Sequence, residues 1–166
     1  YQRSRGLGDV YKRQINGKSY RSFLPYGYVK IRPNALSPGT LSLERHRLIW
    51  LYLQRQTTFF SESAAVLHMA PEKALMTRIS KLKHIDYTTC DLESPLAKVK
   101  ADICDLPFAD ATFDWILCNH VLEHIPNDTK AMKELYRVLK PGGKALLQVP
   151  LDTNREKTFE DDSIVD

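Results

Sequence analysis

The chain has 166 residues, 43% of them hydrophobic, and a formal net charge of +4. That length carries one domain with a real core; no apolar run approaches the ~18–20 residues of a membrane span, and no apolar signal segment opens the chain. The charge does not point to nucleic acid either, because Arg3, Arg5, Lys12 and Arg13 against Asp9 give "YQRSRGLGDVYKRQ" a net +3 and leave +1 for everything after it.

Residues 1–14 lack an initiator Met and any apolar period, and resemble translated adapter sequence. They are expected to be a non-native leader. Residues 15–60 read as a small N-terminal cap. Short strands or turns are predicted around "SYRSFLPYG" and "YVKIRP", closed by the breaker "SPG". From Thr40, "LSLERHRLIWLYLQ" predicts one amphipathic helix, with Thr40 as cap and Glu44 in the first turn. Leu41, Leu48, Ile49, Tyr52 and Leu53 form its apolar stripe, and Glu44 to Arg47 a solvated face.

Residues 61–151 alternate. Strand "AAVLHMA" precedes a helix from about Glu72 to Lys81. Strands "IDYTTCD" and "VKADI" follow, then "FDWILCNH", apolar enough to be buried on both faces. A helix with Asp128 near its cap carries Ala131, Met132, Leu135, Val138 and Leu139 on one side. "KPGG" is expected to stop it, and "KALLQVP" is a further strand. Such alternation implies an α/β, doubly wound, mainly parallel sheet. Residues 152–166 form a polar tail.

In an open parallel sheet, ligands lie beyond the carboxyl ends of the strands. Those ends offer "HMAPE", Asp91, Asp102, and Asn119 with His120. Asp91 follows Ala70 at about the ~20-residue offset where an acidic side chain reaches ribose hydroxyls, and a carboxylate accepts on both oxygens. Cys90, Cys104 and Cys118 form no CxxC pair; they read as reduced thiols in a cytoplasmic chain, with no metal site.

"ADICDLPFADATFDWILCNHVLEHI" followed by "AMKELYRVLKPGGKALLQVP" resembles the core of the class I S-adenosylmethionine-dependent methyltransferases, over roughly residues 64–150. The resemblance implies a Rossmann-like fold, S-adenosyl-L-methionine as cofactor and an unidentified methyl acceptor. It implies that Asp102 accepts from the adenine amino group, that the Ile103 N–H meets the neighbouring ring nitrogen, and that Asp91 holds the ribose. Leu106, Pro107 and Phe108 would form the turn beside the adenine, and Asn119 and His120 would line the methionine end. His120 is the candidate base. Glu123 and His124 of "VLEHI" are expected to pack and bond backbone.

Family members usually carry an acidic residue and a glycine-rich run after the first strand. Here His68 stands at the acid's place, and Ala70, Pro71, Glu72 and Ala74 lie over the glycines. Glu72 is then the candidate anion for the cofactor's ammonium, with His68 and Ala70 lining the loop. "LHMAPE" together with "SLERHRL" resembles a bacterial branch of the family, some members of which carry a Cys-Pro-x-Cys pair just upstream. Here that stretch is "SPGT", Ser37 to Thr40, so a four-ligand zinc knuckle is not expected. The family sheet has seven strands, the last two forming an antiparallel hairpin, and the tail shows no further apolar strand. The sheet is therefore expected to be incomplete at the C-terminus. Two other readings stay open: a non-catalytic binding module with a decayed cofactor loop, and a nicotinamide-dependent enzyme, which would need a G-x-G-x-x-G that is missing.

Overall fold

The computed structural model describes residues 15–18, 20–28 and 30–151; the leader and the polar tail expected at the two ends lie outside them. The chain clusters into two compact units. One is the chain up to Glu62 together with Glu72–Leu82; the other is Ser63–Pro71 together with the chain from Lys83 onward.

In the first unit, β1 (Leu24–Tyr26) and β2 (Arg32–Leu36) form an antiparallel pair. Helix α1 (Glu44–Gln56) starts four residues later than Thr40, with Leu43 as N-cap. The reason is chemical. Thr40 Oγ1 is engaged with Ser42, while the Leu43 N–H donates to His46 Nδ1 at 3.0 Å, so a histidine at the third helical position does the back-reaching half of a capping box.

The expected faces of α1 are partly inverted. His46 and Arg47 are buried with Ile49 and Leu53, whereas Leu41, Leu48 and Tyr52 are exposed. Arg47 is tolerated inside because Nη1 donates to the carbonyls of Ala35 (3.0 Å) and Ser42 (2.7 Å), and its guanidinium lies 4.7 Å from the centre of the Phe23 ring. The cluster read as a solvated face is a binding post for the loop that leads into the helix. Helix α2 (Lys73–Ile79), capped at Glu72, completes this unit. Sequence placed it with the residue 61–151 core; it clusters with the N-terminal segment, where Arg45 and His46 hold Glu72.

The second unit is a five-stranded parallel sheet: β3 (Ala64–Met69), β4 (Ile85–Asp91), β5 (Val99–Lys100), β6 (Phe113–Asn119) and β7 (Leu139–Gln148), in the order β5-β4-β3-β6-β7. This is a Rossmann-like α/β sheet. The chain runs outward from β3 to β5, then returns to β6 on the other side of β3, so the switch point lies between β3 and β6. β3 has a neighbour on both sides, and Val66 to Met69 are buried without alternation.

Helix α3 (Asp128–Val138) is capped by Asn127, whose Oδ1 takes the Lys130 N–H at 2.9 Å; Asp128 is its first residue rather than its cap. It buries Ala131, Leu135 and Val138 against Leu67, Met69, Cys90, Ile116 and Cys118, while Met132 stays exposed. "KPGG" does not form a separate turn. It lies inside the irregular first half of β7, where Phe113 pairs with Leu139 but Trp115 pairs with Lys144, so the extra residues bulge and Gly142 takes a φ of 79°.

At the amino ends of the strands Asp114 acts as a tie. Its Oδ2 accepts the Ala65 N–H at 2.8 Å, and both oxygens accept from Lys140 Nζ at 2.9 Å. Burial pushes this carboxyl up, but the Ala65 N–H and the Lys140 ammonium outweigh it and hold it below its ordinary value. The starts of β3, β6 and β7 are thereby joined, at the end of the sheet away from the strand-end residues.

Candidate functional site

The carboxyl ends of the parallel strands in the second unit gather most of the residues singled out by sequence. Ala70 and His120 each follow the last residue of a strand flanking the switch point, and both are left-handed, with φ of 45° and 53°. Their N–H groups close onto the neighbouring strands, Ala70 to the Cys90 carbonyl at 2.9 Å and His120 to the Gln148 carbonyl at 2.7 Å. Ala70 therefore occupies a backbone state that glycine adopts freely, at a cost of roughly 1–2 kcal/mol for a residue with a Cβ. The loop turns as a glycine loop would, with an alanine in it.

Asp91 ends β4. Its Oδ1 accepts from the N–H groups of Glu93 (2.8 Å) and Ser94 (2.6 Å), while Oδ2 has no hydrogen-bond partner among the described residues. Where sequence led to the expectation of a grip by both oxygens, one oxygen shapes the loop and only the other is left for a ligand. Asp102 stands two residues beyond β5, which ends at Lys100 rather than at Asp102. Oδ1 takes the Cys104 N–H at 2.8 Å, and the carboxylate is also within reach of the Cys104 thiol. The side chain of Ile103 is buried in the core, which fixes its backbone, and its N–H meets no acceptor among the described residues. A carboxylate oxygen beside an N–H is a complementary pair for the amino group and ring nitrogen of adenine. These residues fit the nucleoside part of the expected cofactor.

Asn119 is buried at the end of β6. His120 Nδ1 lies 3.0 Å from Glu123 Oε1, and His124 Nε2 lies 3.9 Å from the same oxygen. Glu123 and His124 lie in a 3-10 turn, Leu122–His124, and sequence reasoning missed that Glu123 orients His120. The three-residue spacing was the available signal. A carboxylate only accepts, so Nδ1 of the neutral ring carries the proton and Nε2 is left as the basic atom.

His68 is not at the loop surface. It is fully buried within β3, and Nδ1 lies 2.6 Å from the Tyr87 hydroxyl of β4. Glu72 belongs to the first unit, where Oε1 meets His46 Nε2 at 2.6 Å and Arg45 Nε at 3.2 Å. The two motifs that carry the branch resemblance, "SLERHRL" and "LHMAPE", thus touch through these side chains.

Two of the cysteines are poor nucleophiles. Burial pushes Cys90 up to about 11, aided by Asp91, and Cys118 up to about 12, aided by Glu123. No group of metal-ligating side chains occurs among the described residues.

Residues 63–147 match the methyltransferase domain family. A stretch of 56 residues, 34% of this chain, is 48% identical to a sterol 4-C-methyltransferase of Caenorhabditis elegans and covers 17% of that protein. Another match spans 49 residues, 30% of this chain, at 47% identity to a ubiquinone/menaquinone biosynthesis C-methyltransferase of Haemophilus ducreyi, covering 19% of it. The chain thus spans a minor part of these relatives' length. A solved structure from Galdieria sulphuraria, described as a sarcosine dimethylglycine methyltransferase, shares the fold with a TM-score of 0.50 and 20% identity, over 60% of this chain and 43% of that one. With more than half of its residues inside one family match, and a parallel sheet in the β5-β4-β3-β6-β7 order beneath it, the chain belongs to the class I S-adenosylmethionine-dependent methyltransferases.

Proposed function

We propose that this chain carries the cofactor-binding half of an enzyme that transfers a methyl group from S-adenosylmethionine to an acceptor. The observation that carries the reading is the chemistry of two strand ends: Asp91 keeps Oδ2 without a hydrogen-bond partner among the described residues, and the Asp102 carboxylate stands next in the chain to the Ile103 N–H, which has no acceptor among them. Asp91 then takes ribose hydroxyls, while Asp102 and Ile103 read the adenine edge. His68 and Ala70 shape the loop after β3, and Asn119 borders the methionine end. Glu72, two residues beyond Ala70 in the chain, is the anion proposed for the cofactor's ammonium.

The bound cofactor supplies an already activated sulfonium methyl. Alignment of donor and acceptor can then contribute ~7–11 kcal/mol without acid or base. Where the acceptor must lose a proton, Nε2 of His120 takes it, with Glu123 holding Nδ1 and stabilising the charge that forms. No described helix is long and apolar enough to cross a membrane. We place the protein in the cytoplasm of a bacterium, in the branch marked by the "SLERHRL" and "LHMAPE" motifs that His46 and Glu72 join. The near-neutral charge of residues 15–166 argues against a nucleic-acid acceptor.

Calorimetric titration with S-adenosylmethionine and, in parallel, with NAD tests this reading. Binding of the first and not the second is expected. Failure to bind either would leave a non-catalytic module.

A further inference from the structure

We infer that Glu134 and Arg137 of α3 are positioning residues for adenine recognition, acting through the loop that follows Asp102. The inference rests on the proposed adenine site. Neither residue touches Asp102 or Ile103; what they hold is the backbone immediately after them.

Arg137 uses all five of its guanidinium N–H groups. Nε donates to Glu134 Oε1 at 2.8 Å. Nη1 donates to the Phe108 carbonyl at 2.8 Å and to Asp110 Oδ1 at 2.7 Å. Nη2 donates to the Leu106 carbonyl at 2.9 Å and to Glu134 Oε2 at 2.8 Å. Glu134 Oε2 also accepts the Leu106 N–H at 2.9 Å, so Leu106 is gripped on both its backbone groups by one ion pair. The same loop closes on the end of α3: the N–H groups of Ala111 and Thr112 donate to the carbonyls of Arg137 and Val138, each at 2.8 Å.

This clamp reaches the adenine-reading residues through a short link. The Asp105 N–H donates to the Asp102 carbonyl at 3.0 Å, and Ile103 and Leu106 are buried in the same cluster with Leu135 and Val138. Between the clamped Leu106 and the end of β5 at Lys100 the chain therefore has little freedom, and the Ile103 N–H and Asp102 carboxylate are presented in one fixed relation. Simple helix–loop packing would be met by apolar contact. A fork that satisfies two carbonyls and two carboxylates fixes the loop's direction as well as its depth. Burial does not account for the pair's ionisation: the Arg137 hydrogen bonds, with the Leu106 N–H, hold the Glu134 carboxyl at about 2.

The test uses S-adenosylhomocysteine and its S-inosyl counterpart, in which a carbonyl replaces the amino group and the ring nitrogen carries a proton. An Asp102–Ile103 edge favours the first ligand and opposes the second at both atoms. In the full chain, Arg137→Lys and the milder, near-isosteric Glu134→Gln should each weaken S-adenosylhomocysteine about tenfold and leave the weak S-inosyl binding nearly unchanged, so that discrimination collapses. Cooperative unfolding should persist at least in Glu134→Gln. Equal weakening of both ligands, or retained discrimination in Glu134→Gln, would mean that the clamp is merely structural. Asp102→Asn separates the two levels. If it leaves discrimination intact, the adenine site itself is misassigned; if it abolishes discrimination while Glu134→Gln does not, only the positioning role fails.

Discussion

His46 and Glu72, 26 residues apart in the chain, meet with Nε2 at 2.6 Å from Oε1. Because His46 Nδ1 accepts the Leu43 N–H, the proton of the neutral ring sits on Nε2 and is donated to the carboxylate. One side chain therefore caps α1 and tethers the residue that caps α2. Removing it in His46→Ala should destabilise the protein by about 1–2 kcal/mol, the scale of a lost cap with a lost hydrogen bond. Urea denaturation checks this; an unchanged midpoint would mean that the contact contributes nothing.

At the strand ends, Asp91→Ala and Asp102→Ala should each weaken S-adenosylmethionine binding by ~1–3 kcal/mol, from loss of hydrogen bonds to a largely desolvated ligand. Each also frees backbone N–H groups in its own loop, so circular dichroism must accompany the titration. Two variants that bind like the parent would remove this site.

The loop after β3 separates two roles. Glu72→Gln should lower cofactor affinity more than His68→Ala does, since only an anion pairs with an ammonium. His68→Ala should instead lower thermal stability, because the ring is fully buried and held to Tyr87. The opposite ranking in affinity would shift the cofactor's anion partner away from Glu72.

Ala70→Gly should raise stability by up to about 1 kcal/mol, because it relieves the left-handed strain at φ 45° while loosening the unfolded chain. In a domain of this size that is about 2–4 °C in Tm. A lower Tm would show that the alanine methyl packs usefully.

Acid should act through Glu134. Its hydrogen bonds with Arg137 depress the carboxyl from 4.5 to about 2 in the folded protein. A depressed folded value means that the pair's stabilisation is fully present above pH 4.5 and is lost as the pH falls toward 2. Glu134→Gln should flatten that part of the stability profile measured by urea midpoints between pH 5 and pH 2.5. A profile with the parent's slope would place the acid sensitivity elsewhere, for instance at Asp114.

Much of the core could be read in advance because its signals are local. The apolar runs of "AAVLHMA" and "FDWILCNH" do not alternate, so only strands covered on both faces accommodate them, and β3 and β6 lie side by side in the middle of the sheet. The places of Asp91, Asn119 and His120 followed from the same logic, since a strand in a parallel sheet exposes whatever residue stands at its carboxyl end. Thr40, by contrast, has the chemistry of a cap, but the position is taken by Leu43 because His46 reaches back to it.

Non-local partners were invisible in the sequence, and they set the differences. A charged cluster on a helix reads as solvated until carbonyls from Ala35 and Ser42 and the Phe23 ring are found around Arg47. His68 reads as a loop ligand until Tyr87, 19 residues on, is found at its Nδ1. Glu134 and Arg137 drew no attention in the sequence, because the carbonyls of Leu106 and Phe108 reach the guanidinium only in the fold. Periodicity and strand-end chemistry are properties of neighbours in the chain and so survive in one dimension. The free energy of burying a polar group depends on which distant donors and acceptors meet it, and that is set only when the chain has folded.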